Sequence, residues 1–404
     1  MMLSNTLSHI RRDRMNLILQ TILGNKRITR GRLAELIGLS QSSIVKYVKF
    51  LQDMGLIKET TKTATKAGRK SVYVAINNDI GVNITVIFYV THIRGVLVDL
   101  GGNILEEFIE PSYKNIPKDL ELQKLYKVID VLLEKSKALN KKSFGIGLAM
   151  GGYLNPSTGV SYDFLYATDW YDVPLKEMVS NKYNIPCFLM NDANAFAMGD
   201  KYYGFGLGYD HFMTIKMDEG IGIGIIANGS LYLGANNYSG ELGHTIVHGN
   251  KNICYCGHTG CLETICSKTA ILETCQKGLA SGVYTEISRL RGDPSNQLTI
   301  EQVMTAANNG DRFARNLFEA VGEALGDKLS DIVNVFNPQL LIFRGQIIDG
   351  NKFLFDTVQR IVSNQILRHT ADPLKIRYAE KNENIDVKGV NAMILMNYFS
   401  SEVK

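Results

Sequence analysis

Several features that would place the protein in a membrane or outside the cell are missing from its 404 residues. The sequence has one tryptophan and eight prolines, and no apolar run approaches the roughly 20 residues that a membrane-spanning helix needs. Arg11, Arg12 and Arg14 near the N-terminus are not followed by the apolar core of a signal peptide. The six cysteines are too few for a disulfide scaffold, and three of them lie within residues 254–261, which favours metal binding. We therefore expect a cytoplasmic protein with no membrane partner.

Acidic residues are scarce at the N-terminal end. Residues 1–76 contain 14 lysines and arginines against 4 aspartates and glutamates, a net charge of +10 in a chain whose total is +4. A segment with this charge favours a polyanionic partner, although a solvated basic surface is the simpler alternative. The length predicts two or three domains, and changes in composition place them at residues 1–76, 77–200 and 201–404.

The first 55 residues contain three segments with apolar residues at helical spacing. They predict helices over residues 7–23, 29–37 and 40–55, the third with Ser40 as a favourable N-cap residue. One face of the third helix is apolar and the other is polar. The apolar face carries Ile44, Val48 and Leu51, and the polar face carries Ser42, Ser43, Lys46, Tyr47 and Lys49. Two helices joined by a short turn, the second presenting hydroxyls and cations, are typical of a helix-turn-helix that enters the major groove.

A predicted β-hairpin follows the three helices. Its strands cover residues 56–60 and 71–76, and the loop between them ends in Gly68, Arg69 and Lys70. This is the form of a wing whose cations reach the DNA backbone or a minor groove. A helical protein-interaction module is the alternative, but the hairpin and the basic charge favour a winged helix-turn-helix that binds double-stranded DNA.

From residue 77 onwards, short apolar runs alternate with helical stretches. Three strands, a helix and a fourth strand are predicted at residues 81–90, 93–99, 104–109, 119–139 and 144–150. A similar order recurs from about residue 211, with strands at residues 212–217, 221–227 and 340–343. We expect an internally duplicated α/β domain with a cleft between its halves.

Two segments of this domain are candidates for ligand contact. The alternating glycines of residues 218–224 leave backbone N–H groups accessible to a phosphate, but they equally fit tight packing against a neighbouring backbone. Asn191 and Asp192 follow a strand predicted at residues 187–190. An aspartate at this position can act as the general base for a sugar hydroxyl, with Asn191 orienting the sugar, or it can simply cap the next helix.

The strongest chemical signal lies in residues 240–263. His244, Cys254, Cys256 and Cys261 supply one imidazole and three thiolates, the set that a closed tetrahedral zinc site needs. Spacing alone does not exclude His248 and His258. Four protein ligands leave no open position for water, so we predict a structural Zn²⁺.

The same segment carries two carboxylates of interest. A metal in this loop would hold Glu241 and Glu263 toward the same cleft as Asn191 and Asp192, and carboxylates and amides are common partners of sugar hydroxyls. The alternative is that Glu263 is an ordinary surface residue.

These segments together resemble the ROK family, named for repressors, open reading frames and kinases, over nearly the whole chain. The most specific match is residues 240–263, whose histidine and cysteines agree in type and order with the zinc ligands of the family. The resemblance implies an actin-like (ribonuclease H-like) sugar-kinase fold behind the winged helix, which itself resembles the xylose-repressor and N-acetylglucosamine-repressor branch. It also implies that Asp192 corresponds to the catalytic base of the kinases, and that Glu241, His244 and Glu263 contact the sugar.

The chain departs from the kinases of that family where they bind ATP. Those kinases open the domain with Asp-x-Gly-Gly-Thr, whereas residues 87–90 here read Ile-Phe-Tyr-Val, with neither a carboxylate nor a glycine. A late Gly-Gly pair is also replaced, by Arg344-Gly345. A bulky Phe88-Tyr89 pair cannot surround a polyphosphate, so we expect no kinase activity and no catalytic residue, although Asp192 is retained.

The sequence therefore predicts a sugar-responsive transcriptional regulator, a repressor of carbohydrate-uptake or catabolism genes that a bound sugar releases from DNA. We expect a homodimer, or a tetramer, on a palindromic operator. A sugar kinase with an appended DNA-binding domain and a repressor controlled by a protein partner are the alternatives. Residues 166–169 read Tyr-Ala-Thr-Asp where relatives often place an asparagine on the sugar. This leaves the effector open among pentoses, hexoses, amino sugars, disaccharides and sugar phosphates.

Overall fold

The computed structural model describes residues 2–61, 72–371, 374–379 and 384–402. The predicted wing residues Arg69 and Lys70 lie outside them. The chain divides into two compact units, Met1–Leu207 with Ile385–Lys404 (unit 1) and Gly208–Asn384 (unit 2). This division places the C-terminal helix in unit 1, whereas composition predicted a single lobe over residues 201–404.

The N-terminal part of unit 1 has the three predicted helices and a small sheet. Its elements are α1 (Met2–Asn25), β1 (Arg27–Thr29), α2 (Arg30–Ile37), α3 (Gln41–Asp53), β2 (Ile57–Thr61) and β3 (Val72–Ile76). Helix α2 begins after Thr29, whose hydroxyl accepts from the Arg32 N–H, and ends at Gly38 in the left-handed region. The sheet has the antiparallel order β1-β3-β2 and includes the unpredicted strand β1, which buries Ile28. The described residues thus form a winged helix.

The rest of unit 1 is built on a five-stranded sheet. Its elements are β4 (Gly81–Phe88), β5 (His92–Asp99), β6 (Ile104–Pro111), β7 (Ile116–Pro117), α4 (Lys118–Ala138), β8 (Lys142–Met150), β9 (Leu154–Asn155), β10 (Val160–Asp163), β11 (Ala167–Thr168), β12 (Tyr171–Val173), α5 (Leu175–Tyr183), β13 (Cys187–Asn191) and α6 (Asp192–Tyr203). The sheet order is β13-β8-β4-β5-β6. Strands β13, β8 and β4 are parallel, so Asn191 lies opposite Met150 at one edge of the sheet. The C-terminal helix α14 (Ile385–Glu402) packs on α6.

Unit 2 repeats the same sheet plan. Its elements are β14 (Phe212–Met217), β15 (Ile221–Ala227), β16 (Ser230–Leu231), a 3₁₀ turn (Leu242–His244), α7 (Glu263–Cys266), α8 (Lys268–Ala280), α9 (Glu286–Arg291), α10 (Ile300–Asn309), α11 (Arg312–Phe336), β17 (Leu340–Arg344), α12 (Lys352–Gln365), α13 (Arg368–Ala371) and β18 (Lys375–Tyr378). The order β18-β17-β14-β15-β16 matches that of unit 1 strand for strand. In each sheet the first three strands along the chain are antiparallel, and two later strands add to the first of them in parallel. The predicted duplication is confirmed.

Each unit has a hydrophobic core of its own. In unit 1 the apolar side of the sheet packs against α4 and α5, and in unit 2 the sheet packs against α8, α10, α11 and α12. Among the described residues, no helix combines the length and the apolarity that crossing a bilayer requires.

Candidate functional site

Asn191 and Asp192 lie at the junction of β13 and α6 in unit 1. The Asn191 side chain caps α6 by accepting from the Ala193 N–H at 2.9 Å, and Asp192 Oδ1 accepts from the same N–H at 2.8 Å. The cap is therefore Asn191 rather than Asp192. Asp192 Oδ2 lies 3.4 Å from the position that a Cβ of Gly151 would take, so the carboxylate is directed to the loop after β8. Both residues are half-buried at a junction held by the strand and the helix.

The segment between β10 and β12 contains a cluster of aromatic rings. Trp170 is buried and donates its indole N–H to Ser161 Oγ at 3.0 Å. The Phe164 ring contacts Trp170, Tyr166 and Phe88, with ring centroids 5.3, 5.5 and 5.7 Å away. Of residues 166–169, which stand where relatives often have an asparagine, Tyr166 thus joins the aromatic cluster, whereas Thr168 and Asp169 are exposed.

Glu263 begins α7 in unit 2 and is half-buried, not an ordinary surface residue. Its Oε2 accepts from the Ile221 N–H at 3.0 Å. A Cβ on Gly220 or Gly243 would lie 2.9 or 2.8 Å from the same oxygen, so these two glycines leave the room that the carboxylate occupies. Close packing thus accounts for Gly220, the first glycine of the run at residues 218–224. Glu241 is half-buried immediately before the 3₁₀ turn.

His244, Cys254, Cys256 and Cys261 are brought together in unit 2. One nitrogen of the histidine and the three sulfurs all lie within 4.8 Å of one another. Cys256 Sγ and Cys261 Sγ are 3.6 Å apart, and His244 Nδ1 lies 3.7 Å from Cys254 Sγ. A tetrahedral zinc with Zn–S bonds of ~2.3 Å has ligand separations of about 3.8 Å, so the four groups fit that ion. This is a closed donor set that can hold a metal.

The thiols of this cluster differ in acidity. Partial burial opposes ionisation of Cys256, but hydrogen bonds from the His258 backbone and ring and from the neighbouring thiols lower its pKa to about 6. Burial together with the neighbouring thiols raises the pKa of Cys261 to about 12. The surroundings of Cys256 thus favour its thiolate, whereas those of Cys261 favour its thiol.

The turn between β4 and β5 is filled by its own side chains. Phe88 is buried, and Tyr89 stacks on His92 with ring centroids 4.6 Å apart. The Tyr89 hydroxyl donates to Asp386 Oδ2 at 2.7 Å, at the start of α14. Burial lowers the pKa of His92, an effect reinforced by the charge of Arg94. The turn contains an internal hydrogen-bonded stack.

A second loop, between β14 and β15, carries an ionic network that the sequence analysis did not predict. Lys268 Nζ lies 2.8 Å from both Glu219 Oε1 and Gln346 Oε1, and the Gln346 N–H donates to Asp218 Oδ1 at 2.6 Å. Lys216 also pairs with Asp218 at 3.7 Å. The lysines and the acidic pair were visible in the sequence, but their contacts join segments up to 128 residues apart.

The residues of α3 that were predicted to face DNA differ in their exposure. Ser42, Lys46 and Lys49 are exposed, whereas Ser43 and Tyr47 are half-buried. Ser40 Oγ accepts from the Ser43 N–H at 3.2 Å and lies 3.0 and 2.9 Å from the hydroxyls of Ser42 and Ser43. Hydroxyls and N–H groups thus cluster at the N-terminus of α3, with the two lysines further along the helix.

Two family models match the chain. Residues 80–396 match the model described as "ROK family", and residues 11–58 match the one described as "Winged helix-turn-helix DNA-binding". The xylose repressor of Bacillus subtilis is 27% identical over 392 residues, covering 96% of each chain. The Escherichia coli "DNA-binding transcriptional dual regulator NagC" is 28% identical over 348 residues, covering 84% of this chain and 82% of its own.

Solved structures share the fold. A ROK family transcriptional regulator described as a homolog of the E. coli MLC protein superposes with a TM-score of 0.81 at 24% identity, and 97% of each chain is covered. A ROK family glucokinase from Streptomyces griseus superposes with a TM-score of 0.65 at 23% identity, covering 78% of this chain and 99% of its own. The similarity to the kinase thus covers a smaller share of this chain than the similarity to the regulator.

Proposed function

The chain belongs to the ROK family, and we propose that it is a sugar-responsive transcriptional repressor that a bound sugar releases from its operator. The observation that carries the proposal is a winged helix with two exposed lysines on α3, joined in one chain to a ROK domain over residues 80–396. The full-length similarity to repressors of sugar genes supports the same conclusion.

Sugar contact is proposed for side chains of both units. Asn191 and Asp192 are the candidates in unit 1, and Glu241, His244 and Glu263 are those in unit 2. All five are half-buried and polar, which suits them to bind hydroxyl groups. For release, the sugar must bind more weakly to the DNA-bound form, because only a difference in affinity between two states shifts their equilibrium.

A regulatory rather than catalytic role follows from the loops that would handle ATP. The turn at Phe88-Tyr89 is filled by packed rings, and the two lysines beside the loop between β14 and β15, Lys216 and Lys268, are paired with Asp218 and Glu219. These four groups carry no net positive charge with which to bind a polyphosphate. We therefore expect no ATP-dependent sugar phosphorylation.

Zinc is the metal that we propose for the cluster of His244 and three cysteines. Bound there, it would cross-link residues 244–261, a segment with little regular structure, and its four protein ligands would leave no open position for water. A two-fold dimer of winged helices would read a palindromic operator, with Lys46 and Lys49 on phosphates and the serines of α3 near base edges.

The direct test is binding of the purified protein to the DNA upstream of its own gene, followed by fluorescence anisotropy at ~150 mM salt. D-xylose, D-glucose, N-acetyl-D-glucosamine and their phosphates are then titrated. One of them is expected to weaken DNA binding by about 5- to 150-fold, the usual range of allosteric coupling. DNA binding that no compound reverses would favour control by a protein partner, and the absence of specific binding would refute the repressor function.

A further inference from the structure

The winged helix and the rest of unit 1 meet in an apolar seam. Helix α1 and the segment of β2 and β3 contribute to it from one side, and α14 and the turn after β5 contribute from the other. Its six side chains are all buried: Leu19, Leu23, Leu56, Ile76, Leu100 and Leu395. Because burial of this apolar surface favours the contact, the winged helix is docked on the rest of unit 1 rather than merely tethered to it.

The linker between the winged helix and β4 is short and is held by its own contacts. Asn77 directly follows β3, and its backbone N–H and side-chain amide donate to Leu56 O and Gly55 O, each at 2.8 Å. Asp79, two residues before β4, pairs with Lys58 of β2 at 2.6 Å. The linker therefore leaves the winged helix little freedom to move on its own.

Helix α6 connects the candidate sugar contacts of unit 1 with the winged helix. Asn191 and Asp192 both accept from the Ala193 N–H, so a ligand that binds either side chain also acts on the first turn of this helix. The 12 residues of α6 span ~18 Å. Helix α1 contacts α6, and a Cβ on Gly24 would lie 3.3 Å from Leu207 Cδ2, just past its end.

Helix α14 is fixed both to α6 and to the sheet of unit 1. A Cβ on Gly389 would overlap the carbonyl oxygen of Ala195, so the two helix backbones are in contact. The buried amide of Asn391 accepts from Asn83 Nδ2 at 2.8 Å and donates to Asp99 O at 3.2 Å. Leaving such buried groups unpaired is costly, so α14 is held in one register and a shift of α6 must act on it.

We propose that α6 and α14, acting as one helix pair, carry the sugar signal from Asn191 and Asp192 to the winged helix. The proposal rests on the sugar-responsive repressor function proposed above. A sugar that binds the first turn of α6 favours one position of the pair, and the winged helix follows the pair across the seam. The linker cannot absorb the movement, so the two positions of the pair differ in their affinity for DNA.

The experiment weakens the seam from the side of α14. Leu395→Ala removes apolar contact from the seam and leaves every residue of the winged helix in place. The full-length protein is titrated by anisotropy with D-xylose, D-glucose, N-acetyl-D-glucosamine and their phosphates, as above. The release factor is the ratio of the DNA dissociation constants with and without the compound. We expect it to be about fivefold lower in Leu395→Ala than in the parent protein, within the range known for residues that connect two sites.

Leu132→Ala is the matched control. Leu132 is as buried as Leu395, but it belongs to α4 and packs in the core of unit 1 outside the seam. Its truncation also lowers the stability of the fold, and urea denaturation shows whether the two variants are equally folded. The release factor of Leu132→Ala should stay within about twofold of the parent, because no seam contact is lost.

Amide hydrogen exchange of the parent protein tests the proposal without a variant. The compound that releases the DNA should change exchange in residues 15–25 of α1 as well as in α6, and the change in α1 should disappear in Leu395→Ala. Unchanged exchange in α1 of the parent, equal release factors in Leu395→Ala and the parent, or equal losses in the two leucine variants would each overturn the helix pair as the route. A parent protein that binds its DNA and is released by no compound would instead refute the sugar control itself, and the inference with it.

Discussion

The candidate sugar contacts of unit 1 and those of unit 2 are held in place by different means. Asn191 and Asp192 sit where a parallel strand turns into a helix, and backbone hydrogen bonds of β13 and the cap of α6 fix both residues. Glu241 and His244 lie in a stretch of more than 30 residues between β16 and α7 whose only helical element is one 3₁₀ turn. The positions of Asn191 and Asp192 thus depend on regular secondary structure, whereas those of Glu241 and His244 depend on contacts within an irregular loop.

The loop of unit 2 has few other sources of order. Two isolated β-bridges, Ile246 with Cys261 and Ile253 with Thr259, connect parts of the loop. A long loop with so little regular structure needs another constraint to keep a side chain in one orientation. We therefore expect loss of the metal to disturb the candidate sugar contacts of unit 2 and to leave those of unit 1 unchanged.

The largest expected effect is that of Cys261→Ala. Cys261 is fully buried in the cluster, and removing one of four ligands should lower zinc affinity by at least 100-fold. Metal content by mass spectrometry and amide hydrogen exchange check this. Exchange should accelerate across residues 242–262 and stay unchanged in α6.

Cys275→Ala is the matched control for that variant, since Cys275 is buried in the core of unit 2 outside the cluster. Cys275→Ala should keep its zinc. If amide exchange in Cys261→Ala rises as much in α6 as in residues 242–262, the candidate sugar contacts of unit 1 also depend on the metal.

Local signals in the sequence were sufficient for most elements of both units. Ser40 marked the start of α3, and the apolar run at residues 212–217 marked β14, because caps and apolar periodicity are properties of neighbouring residues. Strand β1 was missed because three residues are too few to show alternation. Its place in the sheet comes from pairing with β3, which is 46 residues further along.

Two features of the site were beyond the reach of such signals. The spacing and types of the four metal-ligand candidates predicted their cluster, but nothing in the sequence marked the contact of the Tyr255 hydroxyl with His244 Nε2, at 3.1 Å. The packing of α14 on α6 is a contact between residues nearly 200 positions apart. It depends on two glycines, Gly199 and Gly389, that read in the sequence only as weak helix formers.

The next largest effect is expected in unit 1, from Gly199→Ala. A Cβ on Gly199 would overlap the carbonyl oxygen of Ile385, at the start of α14, and helix backbones cannot separate without cost to the packing on both sides. We expect the free energy of unfolding to fall by about 2 kcal/mol, in the range of overpacked cores, and zinc affinity to stay the same. Urea denaturation and chelator competition measure the two quantities.

Gly31→Ala is the control for the added methyl group. Gly31 lies in helix α2 with open space around it, so alanine should stabilise the protein by up to about 1 kcal/mol. A loss of zinc in Gly199→Ala would show that the loop of unit 2 also relies on α6.

The smallest effect, and the sharpest test of the comparison, is that of Glu263→Gln. The side chain keeps its shape and can still accept from the Ile221 N–H, but the hydrogen bond is no longer charge-assisted. Since charge-assisted bonds are about twice as strong as neutral ones, we expect unfolding free energy to fall by only about 0.5 to 1 kcal/mol. Glu273→Gln on the exposed face of α8 should be neutral in the same urea titration.

Because Glu263 is hydrogen-bonded to β15 rather than to the thiol cluster, Glu263→Gln should keep full zinc affinity while binding the effector less tightly. A parallel loss of zinc would mean that this carboxylate and the metal loop form one cooperative structure, and that unit 2 has a single means of support where the structure shows two.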